Sequence, residues 1–71
     1  MVKIEAIIEW AKKEASDILV ERSEERNNVV RVTTMFISKG ELKDLVKVSG
    51  ARHYTIFAEV GTVGKIVIVL S

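Results

Sequence analysis

Asp17-Ile18-Leu19-Val20-Glu21-Arg22 can fold in two ways, and the choice decides the architecture. If the helical spacing that precedes it runs on, Ile18 and Leu19 carry an apolar stripe to about Arg22. If Asp17 stops the helix, Ile18 to Arg22 becomes a short strand. Ser16 and Asp17 compete with helical backbone hydrogen bonds through their own side chains, which favours a stop. Val20 points away from the stripe on a continued helix but shares a face with Ile18 in a strand. The strand reading is therefore preferred, followed by a polar loop of Ser23, Glu24, Glu25, Arg26, Asn27 and Asn28.

Upstream, Ile4, Ile7, Ile8, Ala11 and Ala15 recur at spacings of three and four, the pattern of an amphipathic helix over residues 3 to 15. Trp10 sits on the shoulder of that stripe, where an indole either caps the rim of its own core or anchors a partner. Downstream, Val29 to Ile37 is almost entirely β-branched or aromatic and predicts a second strand. Ser38 and Glu41 stand at capping-box spacing before Leu42, Leu45 and Val46, and Gly50 supplies a stop. Gly40 in the first turn leaves open whether this element is a full helix or a single turn.

The last third reads as a hairpin. Arg52 to Val60 and Lys65 to Leu70 are strand-like and are joined by Gly61-Thr62-Val63-Gly64. Tyr54, Ile56, Ala58 and Val60 share one face and pair with either Ile66, Ile68 and Leu70 or with Val67 and Val69. His53, Thr55, Phe57 and Glu59 share the other face. One face is then core and the other partly wet. The expected fold is a single α+β domain over residues 1 to 71, with a small antiparallel sheet of three to four strands and two helices on one face. Its order is α-β-β-α-β-β, or α-β-α-β-β if the first helix continues to Arg22.

Composition narrows function by exclusion. Seventy-one residues leave room for one small core and little for an enzyme cleft. An apolar fraction of 48% argues for a folded chain. The absence of cysteine excludes disulfides and thiolate zinc sites, and self-association is the usual substitute for bracing a small core. The longest apolar run, Ile66 to Leu70, falls far short of the roughly 20 residues that span a bilayer, and the expected location is cytoplasmic.

Candidate chemistry is sparse. His53 is the one histidine, and nothing in its spacing sets it against Ser16, Ser23, Ser38 or Ser49 as a base beside a nucleophile. No stretch has calcium-loop or Walker spacing, so neither a metal nor a cofactor is expected. Gly61-Thr62-Val63-Gly64 resembles the phosphate-clamping loop of KH domains in its glycine spacing, but that loop joins two helices, whereas strands flank this one.

Charge is unevenly spread. Residues 1–28 hold five bases against seven acids, a net of −2, and residues 29–71 hold six against three, a net of +3. Lys39, Lys43 and Lys47 repeat every four residues and would form one stripe on a helix, with Arg52 and His53 following, so a nucleic-acid backbone is a candidate ligand. The uncharged run containing Ile66, Ile68 and Leu70 would pair with another chain if it lay at a sheet edge, and with Trp10 it makes the candidate self-association surface.

Ala11 to Val32, with Ala15-Ser16-Asp17-Ile18, Val20-Glu21 and Val29-Val30-Arg31-Val32, resembles the opening helix and hairpin in the N-terminal domain of type II secretion and type IV pilus ATPases. Leu19 stands where that family usually has histidine, and Thr33-Thr34-Met35-Phe36 where it has an arginine, hydrophobic, acidic and glycine run. The resemblance implies a protein-docking role and carries no nucleotide chemistry. The resemblance also favours the strand at Ile18 to Arg22. The residues themselves point to a non-catalytic interaction module that forms homo-oligomers, with nucleic-acid binding through Lys39, Lys43, Lys47, Arg52 and His53 as the alternative.

Overall fold

The computed structural model describes residues 2–14, 18–23, 25–26, 28–59 and 65–71. The chain runs α1 (Ile4–Glu14), β1 (Leu19–Arg22), β2 (Val30–Thr34), α2 (Lys39–Ser49), β3 (Tyr54–Glu59) and β4 (Lys65–Leu70), the preferred order of the two. Ala15 in the first stripe, Ser16 and Asp17 at the helix stop, Glu24 and Asn27 of the polar loop, Val60 on the hairpin face and the Gly61–Gly64 turn lie outside the described residues.

Local chemistry accounts for α2. The Ser38 Oγ accepts from the Glu41 N–H at 3.1 Å, and the Glu41 Oε1 accepts from the Ser38 N–H at 3.1 Å, so two donors at the helix start are satisfied reciprocally. Gly40 does not reduce the element to a turn, because the closed box offsets its weak helix propensity and the helix runs for 11 residues. At the other end Gly50 takes φ 68°, a left-handed conformation that a Cβ disfavours, and the chain leaves the helix there. The buried Ser49 Oγ donates to the Val46 carbonyl at 2.8 Å and accepts from the Ala51 N–H at 3.1 Å. The Ser49 carbonyl in turn accepts from the Lys3 N–H at 2.9 Å, fastening the start of α1 to the end of α2.

All strand pairs are antiparallel and the sheet order is β1-β2-β4-β3. The registers Val20↔Val32, Val32↔Ile68 and Ile68↔Ile56 place those residues on one side of the sheet, the side that α1 and α2 cover. Ile7, Leu45, Val30, Val32, Ile68 and Leu70 are almost fully buried there. Each such burial contributes about 1.5–3 kcal/mol.

Two expectations change. The buried arc of α1 is rotated from Ile8 toward Trp10: Ile7, Trp10 and Ala11 are buried while Ile8 is exposed, because α2 packs alongside α1 and extends the core to that shoulder. In β3 the helix-side residues Tyr54 and Ile56 stay 49% and 45% exposed, so neither face of this strand is core. α1 leans toward β1, at the opposite margin of the sheet, and β3 overhangs the helical layer.

Candidate docking surface

Lying between β2 and β3, β4 has both backbone edges occupied, and Ile68 and Leu70 are buried. The expected edge made of Ile66, Ile68 and Leu70 therefore does not exist. The run is uncharged because it is the interior of the sheet. Trp10, the other expected interface residue, is 7% exposed and belongs to the core, which is the rim-capping reading of the two considered.

Among the described residues the free edges of the sheet belong to β1 and β3, and they differ. β1 is four residues long and ends in Glu21-Arg22, features that discourage pairing with a further strand. β3 has six residues, Tyr54-Thr55-Ile56-Phe57-Ala58-Glu59, uncharged until the last. Residues Tyr54 to Ala58 are all exposed, and Phe57 is 53% exposed on the side away from the helices.

Backbone direction along β3 follows from one pair. The His53 N–H donates to the Ser71 carbonyl at 3.0 Å and the Ser71 N–H donates to the His53 carbonyl at 2.9 Å, a mutually bonded pair. In an antiparallel ladder such pairs alternate, so Thr55, Phe57 and Glu59 direct their backbone groups to β4. The N–H and C=O groups of Tyr54, Ile56 and Ala58 then point out of the sheet along the free edge. A shallow groove runs beside this edge on the helix side, lined by Leu42, Val46 and Tyr54 and flanked by Lys39 and Lys43.

On the face away from the helices, the registers put Leu19, Thr33, Val67 and Phe57 in one row and Glu21, Arg31, Val69 and Thr55 in the next. Leu19 and Phe57 are exposed at the two ends of the first row, and Glu21 stands opposite Arg31 in the second.

The basic candidates divide into two places. Lys39, Lys43 and Lys47 are exposed along α2, the first two beside the groove. Arg52 and His53 line a separate cleft with Arg26, Asn28, Val29 and Ser71. Ser23 accepts from the Arg26 N–H, Ser38 caps α2 and Ser49 closes it, so these three hydroxyls are engaged in local backbone bonding. Among the described residues no group of three or more His, Cys, Asp or Glu could hold a metal ion, and no helix is long and apolar enough to cross a membrane.

The strand edge was missed by sequence reasoning because Tyr54, Ile56 and Ala58 alternate as a core face does. The signal lies in strand order, which pattern alone does not encode. Comparison with protein-family models, curated proteins and solved structures finds no match to this chain, and nothing in these comparisons extends the likeness to secretion and pilus ATPases.

Proposed function

We propose that the protein is a non-catalytic assembly module that self-associates through β3. The observation that carries this reading is the edge itself: a six-residue strand with an uncharged stretch from Tyr54 to Ala58, exposed and with outward backbone groups that have no partner among the described residues. Strand addition to such an edge draws affinity from main-chain hydrogen bonds and specificity from alternate side chains. Natural sheets protect edges of this length with charge, proline or a covering element, and Tyr54 to Ala58 carry neither charge nor proline and stay exposed.

Light scattering after size exclusion tests the reading. The native chain at about 100 μM should elute above the protomer mass, and Ile56→Lys, which puts a charge on the edge at a half-exposed position, should return it to the protomer. A native protomer mass across the concentration range overturns the proposal.

A second reading, nucleic-acid binding, has one observation in its favour: Lys39 and Lys43 flank a groove that also holds the exposed ring of Tyr54. Arg52 and His53 line a different cleft, so the expected basic stripe is shorter than its five residues. Phosphate contacts of this number give weak, steeply salt-dependent affinity. Fluorescence anisotropy with DNA and RNA at low ionic strength should show no micromolar binding; binding abolished by Lys43→Glu would replace the first reading.

A further inference from the structure

We infer that the occupant of the β3 edge is β3 of a second copy, paired antiparallel about a two-fold axis at Ile56, so that assembly closes at a dimer. The inference rests on the self-association proposed above and specifies its register. A two-fold axis perpendicular to the sheet keeps helix-side residues on the helix side, so residues of equal parity must oppose each other.

Centring on Ile56 sets Ile56 opposite Ile56, Tyr54 opposite Ala58, and Thr55 opposite Phe57 of the second copy. Tyr54, Ile56 and Ala58 carry the outward backbone groups. In this register each of their N–H and C=O groups, in both copies, meets a partner. Shifting the axis to Thr55 or to Phe57 leaves Ala58 or Tyr54, respectively, without a partner from this set. Side chains agree with the register, since the ring of Tyr54 faces the small Ala58 and the ring of Phe57 faces Thr55.

The result continues the sheet across the axis, with order β1-β2-β4-β3 followed by its reverse. The outer edges of the doubled sheet are then the two β1 strands, short and charged, so growth ends at two copies.

The available area sets the strength. Tyr54, Ile56 and Phe57 are about half exposed. At roughly 200 Å² per large side chain they can bury on the order of 300 Å² per protomer. A standard stable interface takes about 800 Å² per partner. Even with the backbone bonds added, the dimer should dissociate in the micromolar range.

The absence of cysteine makes directed cross-linking clean. Ile56→Cys should oxidise to a covalent dimer, because directly opposed bonded residues stand about 5.5 Å apart between Cα atoms, within disulfide reach. Thr55→Cys alone and Phe57→Cys alone should not, because each is displaced by two residues from its own symmetry mate, about 8 Å, beyond disulfide reach. An equimolar mixture of these two variants should form the mixed disulfide. Circular dichroism of each variant reports that the fold is retained, and sedimentation of the reduced native chain gives the mass. Efficient cross-linking of Phe57→Cys or Thr55→Cys alone, or a native mass above the dimer, overturns this register while self-association stands. A protomer mass at every concentration, with no cross-linking, overturns self-association itself.

Discussion

Ile56 holds its side chain on the helix side and its N–H at the open edge, so proline there tests the edge without cutting the ladder to β4. Ile56→Pro removes an outward donor that no intramolecular bond uses. It should abolish association and cost about 1 kcal/mol of stability through its narrower φ and smaller side chain. Phe57→Pro removes a bond directed at β4 and should cost roughly 1–3 kcal/mol more, the penalty of an unmade backbone bond. Urea unfolding of the two variants checks the difference. If both are equally destabilised, the assignment of backbone direction along β3 is wrong. A related contrast exists in α2. Ser38→Ala should lose about 1 kcal/mol with the cap, and Gly50→Ala a similar amount because its φ of 68° suits glycine. Neither substitution should alter the solution mass.

At the level of elements, what was legible in the sequence was whatever local chemistry decides. The capping box at Ser38 and Glu41 and the stop at Gly50 need no distant partner, and each stands where the residues place it. The strand expected from Val29 to Ile37 forms only over Val30–Thr34: the Thr34 Oγ1 donates to the Phe36 carbonyl and accepts from the Phe36 N–H, a local turn that ends the ladder. The choice at Ile18 to Arg22 turned on the face of Val20, which indeed shares a side of the sheet with Val32. Illegible were the features that depend on neighbours. Ile66 to Leu70 is apolar on both sides because it is the interior strand, and the same apolar run would also suit an exposed edge. Tyr54, Ile56 and Ala58 carry a core pattern with no core above them, since α1 leans toward the far margin. Trp10 gave an ambiguous reading that packing of α2 on α1 resolves. Its Nε1 is buried with no hydrogen-bond partner among the described residues. Trp10→Ala should therefore cost about 3–5 kcal/mol by opening a cavity, while Trp10→Phe, which also removes the unpartnered donor, should cost much less. Thermal unfolding of both variants checks this.

Across the whole molecule, one core formed on one side of a four-stranded sheet leaves, among the described residues, the weakly defended border of β3, and assembly would use that border. Amide hydrogen exchange measured residue by residue, at high and at low protein concentration, tests it most directly. Thr55 and Phe57 donate within the protomer and should be protected at both concentrations. Tyr54, Ile56 and Ala58 should be protected when the protein is concentrated and should exchange freely on dilution below the dissociation constant. Free exchange of those three amides at every concentration, with their neighbours protected, would contradict the account.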